Sequence, residues 1–161
     1  MVTLRPARPE DRERLLAIYA STRADELAPV PWTEEQKASF LRMQFEAQDT
    51  DYRRNYPDAE YSVVEVDGSL AGRLYVHRRP DEIRLIDIAL LPAFRGRGIG
   101  TGLLTRLFDE AASRDVPITI HVEISNPARS LYERLGFVAE GEQGLYVLMR
   151  WTPAARRAVV S

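Results

Sequence analysis

The chain has 161 residues, 22 Lys and Arg against 24 Asp and Glu, a formal net charge of −2 and no cysteine. This length is typical of one domain, and the charge provides no overall basic field for nucleic acid or an anionic membrane surface. Without cysteine, disulfides, thiolate metal sites and a cysteine nucleophile are excluded. The first residues hold no apolar signal segment and no apolar run approaches a membrane span, so a cytoplasmic protein is expected.

The N-terminal part of the chain predicts a strand and two helices. Thr3 to Arg5 indicates a short strand, and Pro9 suits the first turn of an amphipathic helix. The segment 28–32, APVPW, ends that helix. Thr33 can cap the second helix, and Pro57 marks the loop that follows it.

Three strands are predicted next. Tyr61 to Val66 alternates in polarity, and Asp67-Gly68 is typical of a hairpin turn. Leu70 to His77 is the partner strand, and a third strand begins at Ile83. This arrangement favours antiparallel pairing at the hairpin.

The most informative segment follows the third strand. The apolar run from Ile83 ends at Pro92, and three glycines, Gly96, Gly98 and Gly100, precede a helix with apolar residues at three-and-four spacing. A helix start presents unpaired N–H groups and the positive end of a dipole, so this turn predicts a phosphate-binding site. The residues predicted to bind the phosphate are Arg95, Gly96, Arg97, Gly98, Ile99, Gly100 and Thr101.

Two other phosphate motifs fit this turn poorly. A dinucleotide-binding turn requires G-x-G-x-x-G, and its third glycine position falls on Thr101 or Leu103. A Walker loop is excluded because no Gly-Lys-Ser/Thr follows. A plain glycine turn flanked by solvated arginines remains the structural alternative.

The C-terminal part predicts a strand, a helix and two final strands. Ile118 to Ile124 indicates a buried strand, and Asn126 can cap a fourth helix that Gly136 ends. The final strands are 137–140 and 145–150. One domain is expected over residues 1–151, followed by a mobile tail over 152–161.

Two motifs resemble the hallmarks of the GCN5-related N-acetyltransferase (GNAT) family. Arg95-x-x-Gly98-x-Gly100 resembles its coenzyme A pyrophosphate signature, Q/R-x-x-G-x-G/A. The segment from Asn126 through Tyr132 to Gly136-Phe137 resembles its second hallmark, N-x-x-(x)-x-x-x-Y-x-x-x-G-F. The resemblance implies an α+β fold with a mixed, mostly antiparallel sheet of about six to seven strands, helices on both faces, and a splay between the fourth and fifth strands.

The resemblance also implies acetyl coenzyme A as co-substrate, with no metal. Its pyrophosphate would lie at the glycine turn, and its pantetheine arm would pair with the backbone of Ile88, Ala89 and Leu90. Asn126 would contact the pantetheine amides, a role compatible with helix capping, and Arg129 would also contact the co-substrate. Tyr132 would lie beside the sulfur and protonate the departing thiolate; packing in the core is its structural alternative.

An acceptor amine must lose a proton before it attacks the thioester. Glu82, near the start of the central strand, matches the place of the base in some members of the resembled family. Asp87 is a lone carboxylate in an apolar run, where a structural hydrogen bond is the alternative. Glu123 is a third candidate, and water or a backbone carbonyl is a fourth. His77 and His121 are expected to be structural, because nothing in their spacing supports a metal site.

These features predict an N-acetyltransferase that acts by direct transfer in a ternary complex, because no cysteine can carry the acyl group. The acceptor would be a primary amine of a small molecule or peptide, and a homodimer fits the resembled family. Aromatic residues in and around the second helix either stack on a cationic amine or close the core: Trp32, Tyr52, Tyr56 and Tyr61. A non-catalytic acyl-CoA-binding or sensing domain is the alternative, and a nucleotide-dependent oxidoreductase is disfavoured by the broken glycine motif.

Overall fold

The computed structural model describes residues 1–154, so most of the predicted mobile tail lies outside the described residues. The elements follow the predicted order. The second helix continues to Asn55, and the loop predicted at Pro57 follows it. The elements are β1 (Val2–Pro6), α1 (Arg12–Leu27), α2 (Glu34–Asn55), β2 (Glu60–Val66), β3 (Ser69–Arg78), β4 (Ile83–Leu90), α3 (Ile99–Arg114), β5 (Ile118–Glu123), α4 (Ala128–Arg134), β6 (Val138–Gln143) and β7 (Tyr146–Trp151).

Within residues 1–154, seven strands form one sheet in the order β1-β2-β3-β4-β5-β7-β6. The β1–β2, β5–β7 and β6–β7 pairs are antiparallel. The β4–β5 pair is parallel and joins Ile83 to Ile118 and Arg84 to Thr119. This mixed, mostly antiparallel sheet with four helices confirms the predicted α+β class. No helix of residues 1–154 is long and apolar enough to cross a membrane.

The chain forms two compact units, and the first comprises Met1–Tyr75 and Asp87–Gly100. Helix α2 begins with the predicted cap, in which the Gln36 N–H donates to Thr33 Oγ1 at 3.1 Å. Asp67 and Gly68 have φ of 50° and 84°, the left-handed conformation that a two-residue hairpin needs. The buried apolar core of this unit is formed by Leu15, Ile18, Tyr19, Phe45, Val63 and Leu70.

The second unit comprises Val76–Ile86 and Thr101–Ser161. Its apolar core includes the inward face of α3, as the periodic spacing predicts, and a stacked pair of rings, Phe108 and Trp151, 4.4 Å apart. Gly136, with φ of 105°, follows α4 and ends it as predicted. In this unit, the buried residues of α3 are Leu103, Leu104, Leu107 and Ala111.

Candidate active site

The glycine turn has the geometry that its sequence predicts. Gly96 and Gly98 have φ of 74° and 76°, and a Cβ at either residue would meet no atom within 4 Å. The glycines are therefore required for the left-handed backbone rather than for space. The turn delivers the chain into α3 at Ile99, and the first N–H groups of that helix have no acceptor within it. These groups can bind an anion.

The two arginines of the turn have different environments. The Arg95 guanidinium donates from Nε to the Leu90 carbonyl at 2.9 Å and from Nη2 to Ser21 Oγ at 3.2 Å. Arg95 thus links the turn to the end of β4 and to α1. Arg97 is exposed, and its guanidinium lies 5.4 Å from the centroid of the Phe94 ring. Arg95 is also exposed, so the two cations differ in that the Arg95 guanidinium is already engaged in hydrogen bonds.

The second half of β4 is unusual for a central strand. Burial alternates from Ile83 to Ile86, but every residue from Asp87 to Leu90 is only half-buried. Gly72 of β3 approaches this segment so closely that a Cβ at Gly72 would lie 2.2 Å from the Ala89 carbonyl oxygen. Ile88, Ala89 and Leu90, the predicted pantetheine segment, are therefore packed tightly on β3 and remain partly accessible.

Asp87, the second candidate base, forms an ion pair with Arg73. The Arg73 side chain is 3% exposed and donates from Nη2 to Asp87 Oδ2 and, at 2.9 Å, to Gln48 Oε1. The Tyr52 hydroxyl donates to the same Asp87 oxygen at 3.4 Å. Burial, the largest single effect, acts to lower the pKa of Arg73, but the Asp87 charge together with Tyr75 and Tyr52 raises it by more. The pKa of Arg73 is therefore raised, and the guanidinium stays protonated. The alternative noted for Asp87, a structural partner, is present.

The aromatic residues predicted as one group lie in two places. Tyr52 and Tyr61 both contact Tyr75, with ring centroids 6.0 and 4.9 Å away. The Tyr61 hydroxyl donates to the Tyr52 and Tyr56 carbonyls at 2.9 and 2.8 Å. Trp32 instead packs on Phe40, at 5.2 Å. Tyr52, Tyr56 and Tyr61 therefore close the end of α2 around a buried ring.

Glu82, the first candidate base, lies in a network of charges. Its carboxylate contacts Arg79 Nη1 at 2.7 Å and Arg84 Nη2 at 3.7 Å, and accepts the Thr119 hydroxyl at 3.2 Å. The contact with Arg84 places the two side chains on the same side of the chain. Arg84 also contacts His121 Nδ1 at 2.9 Å; burial lowers the pKa of His121, and the Arg84 charge lowers it further.

The second hallmark segment forms α4 and the turn that precedes it. Asn126 Oδ1 accepts the Ala128 N–H at 2.9 Å. The N-cap of α4 is Pro127, which has no side-chain cap, so Asn126 lies one residue further from the helix than predicted. Arg129 forms an ion pair with Glu133 at 3.4 Å. Tyr132 is 5% exposed, and its ring lies edge-on to Phe137 at 5.6 Å. The core packing of Tyr132 is therefore present, while the roles of these residues toward a co-substrate stay predictions.

Glu123 and His77 have contacts that indicate no catalytic role. Glu123 is half-buried and faces Tyr146 in the β5–β7 ladder. His77 Nδ1 accepts a hydrogen bond from Arg79 Nε at 3.2 Å. Among residues 1–154, no group of three or more His, Asp or Glu side chains is placed to hold a metal ion.

Sequence reasoning missed Arg73, which is the partner of Asp87. Its signal was present, because Arg73 is the only charge in the apolar run 70–76, LAGRLYV. A charge in such a strand requires a partner of opposite sign. The run 83–91 contains two charged residues, Arg84 and Asp87, and Asp87 is the one whose charge is opposite to that of Arg73.

Strand β4 leads through the glycine turn directly into α3, and β5 then pairs parallel with the start of β4. The model of the acetyltransferase (GNAT) family matches residues 23–137. The chain therefore belongs to the GNAT acetyltransferase family, and the predicted resemblance is confirmed.

Relatives and solved structures agree with this assignment. The chain is 29% identical over 140 residues to a Bacillus subtilis (strain 168) protein named as a ribosomal protein bS18-alanine N-acetyltransferase, an alignment that covers 86% of this chain and 82% of the relative. The PaiA N-acetyltransferase of Thermoplasma acidophilum, solved in complex with coenzyme A, has a TM-score of 0.70 at 19% identity, over 94% of this chain and 99% of that one. The ribosomal-protein-S18-alanine N-acetyltransferase of Escherichia coli has a TM-score of 0.61 at 22% identity, over 94% of each chain.

Proposed function

We propose that this protein transfers the acetyl group of acetyl coenzyme A directly to a primary amine of a peptide or protein. The observation that carries the proposal is the left-handed turn at Gly96 and Gly98, which leads into α3 inside the segment matched by the family model. A peptide acceptor is favoured over a small amine because the Bacillus subtilis relative is named for an alanine of a ribosomal protein. That name also favours an enzyme over a non-catalytic acyl-CoA sensor.

The turn would bind the pyrophosphate of the co-substrate. The free N–H groups at the start of α3 supply hydrogen bonds and the positive end of a dipole, and exposed Arg97 supplies a cation. Arg95, tied to Leu90 and Ser21, would hold the turn in place. The partly accessible backbone of Ile88 to Leu90 would pair with the pantetheine arm. The family resemblance supports Asn126 and Arg129 as further contacts to the co-substrate.

The reaction removes two protons from the acceptor nitrogen and supplies one to the sulfur. The acceptor ammonium loses its first proton to a base, and the neutral nitrogen attacks the thioester carbon. As the carbon–sulfur bond breaks, the nitrogen loses its second proton and the departing thiolate takes one up, so that one proton is released overall. We assign the first deprotonation to Asp87. Both oxygens of Glu82 have partners, Oε1 in two arginines and Oε2 in Thr119, whereas Arg73 and Tyr52 both donate to Oδ2 of Asp87. Tyr132 would protonate the thiolate.

Co-substrate binding is tested at Gly98. Gly98→Glu places a carboxylate at the start of α3 and is expected to abolish coenzyme A binding in calorimetry, because it opposes the charges that hold the pyrophosphate. Gly98→Ala is the matched control, since it carries the same strain at φ of 76° without the charge. Equal affinity in the Glu variant and the Ala variant would show that the pyrophosphate binds elsewhere.

The acceptor is tested by mass spectrometry of acetylated products. The purified protein and acetyl coenzyme A are incubated with a peptide that begins with alanine, the same peptide with a blocked N-terminus, a lysine-containing peptide and a polyamine. One acetyl group is expected on the free alanine peptide and none on the blocked peptide. Acetylation of the polyamine alone would overturn the peptide acceptor.

A further inference from the structure

The Arg73–Asp87 pair places a buried charge in the middle of a sheet, where the loss of hydration costs free energy. Arg73 is buried, and its Nε has no hydrogen-bond partner among the described residues. A charge removed from water is poorly compensated by one carboxylate oxygen, and apolar side chains of similar volume are often at least as stable in such places. The Arg73 guanidinium also lies 5.1 Å from the centroid of the Tyr75 ring. Stability alone does not account for a cation held in this way.

The carboxylate of Asp87 is held by one oxygen. Arg73 and the Tyr52 hydroxyl both donate to Oδ2. Oδ1 has no hydrogen-bond partner among residues 1–154, and the Asp87 side chain is 19% exposed. Two donors on one oxygen fix the plane of the carboxylate and leave the other oxygen available to a ligand.

A structural pair in the same unit shows the contrast. Arg5 donates from Nη1 to Asp11 Oδ2 at 2.8 Å and from Nη2 to Asp11 Oδ1 at 2.9 Å, and the Arg8 N–H adds a third bond. That arrangement uses both oxygens of the carboxylate, the bidentate geometry that Arg–carboxylate pairs frequently adopt. Asp87, in contrast, has an unused oxygen on the strand segment that adjoins Ile88.

We propose that Arg73 is a positioning residue for acetyl transfer: it holds Asp87 through Oδ2 so that Oδ1 receives the acceptor amine. Tyr52 donates to the same oxygen, and Gln48 Oε1 accepts a second hydrogen bond from the Arg73 Nη2 that binds Asp87. The inference rests on the proposed function, because it needs an amine acceptor. Arg73 itself does not touch the acceptor; its effect passes through Asp87.

The test compares the parent with Arg73→Met, Arg73→Lys and Tyr52→Phe in steady-state kinetics. Arg73→Met keeps the length of the side chain without its donors, and kcat is expected to fall by about 10-fold or more because the carboxylate loses its fixed orientation. The KM for acetyl coenzyme A is expected to stay within about twofold, since the turn is unaltered. Arg73→Lys should recover part of kcat, and Tyr52→Phe should lower it by about threefold, the effect of one lost hydrogen bond.

Arg5→Met is the matched control, because it removes an arginine from a buried pair in the same unit. It is expected to lower the thermal midpoint while leaving kcat of the folded enzyme unchanged. If Arg73→Met does not fold, Arg73→Lys and Tyr52→Phe carry the comparison. A kcat equal to that of the parent in every folded variant would overturn the role of Arg73 while acetyl transfer stands. A parent that binds coenzyme A and neither acetylates nor binds any amine would overturn the proposed function, and this inference with it.

Discussion

Gly72 provides a sharp test of the packing between β3 and the accessible half of β4. A Cβ at this residue would lie 2.2 Å from the Ala89 carbonyl oxygen, 2.8 Å from Leu90 Cδ2 and 3.1 Å from Leu90 Cα. A leucine methyl can rotate away, but the carbonyl oxygen and Cα belong to the backbone of β4. Gly72→Ala can therefore be accommodated only if one strand moves.

The magnitude follows from that movement. An ordinary carbon–oxygen contact is about 3.3 Å or longer, so the strands must separate by about 1 Å. Overpacking of this kind costs about 1–3 kcal/mol, and the upper end applies because backbone atoms must shift. The reduced freedom of the unfolded chain returns about 0.5 kcal/mol. We expect Gly72→Ala to lower the free energy of unfolding by about 2–2.5 kcal/mol.

The assay is urea unfolding of Gly72→Ala beside Gly102→Ala. Gly102 lies inside α3, and a Cβ there meets no atom within 4 Å. This control is expected to raise the free energy of unfolding by about 0.5–1 kcal/mol, because alanine is the better helix former. Displacement of Ala89 and Leu90 should also weaken coenzyme A binding in Gly72→Ala alone. Equal stability of the two variants would refute the close approach of β3 and β4.

Three further predictions concern the N-terminal unit and the reaction. Thr33→Ala should lower the free energy of unfolding by about 1 kcal/mol through loss of the α2 cap, and Thr33→Ser should not; urea unfolding of both measures this. Hydrogen bonds from Arg5 lower the pKa of Asp11 from 3.8 to about 2, so the pair stabilises the fold above the unfolded value and this stability is lost as pH falls toward 2. Asp11→Asn should therefore be less stable than the parent near neutrality, by on the order of 1 kcal/mol, and the difference should shrink in acid unfolding. Initial-rate kinetics with both substrates varied should be sequential, because the chain has no cysteine to carry the acetyl group; a ping-pong pattern would contradict direct transfer.

Local chemistry explains why the elements could be predicted from the sequence. Thr33, Asp67-Gly68 and Gly136 each act within a few residues of themselves, and each has the predicted conformation or bond. The same holds for the turn at Gly96 and Gly98, whose left-handed backbone requires no contact from elsewhere. Features that depend only on neighbouring residues can therefore be predicted from a single sequence.

Contacts between residues far apart in the sequence could not be predicted in the same way. The pairing of Arg73 with Asp87, on different strands, depends on which strands adjoin and in which register. Arg95 was predicted to contact the phosphate. It also donates hydrogen bonds to the Leu90 carbonyl and to Ser21, and the bond to Ser21 depends on where α1 lies. A lone charge in an apolar strand predicts that a partner exists, but it does not say which residue the partner is.

Tyr132 is the assigned residue for which structure and chemistry can be separated most cleanly. Its ring is 5% exposed and lies edge-on to Phe137, so it contributes to the core whatever its hydroxyl does. Tyr132→Phe removes the hydroxyl alone and preserves this aromatic contact.

If the hydroxyl protonates the departing thiolate, kcat should fall by roughly 100-fold or more, with coenzyme A affinity nearly unchanged. A purely structural Tyr132 predicts almost no kinetic change and a shift in thermal midpoint at most. Single-turnover measurements, in which chemistry rather than product release limits the rate, decide between these outcomes. Substrates with a more acidic leaving thiol add an internal check, because a thiolate that leaves unaided should rescue the Phe variant but barely change the parent. An unchanged single-turnover rate in Tyr132→Phe would assign protonation of the sulfur to water or to another donor.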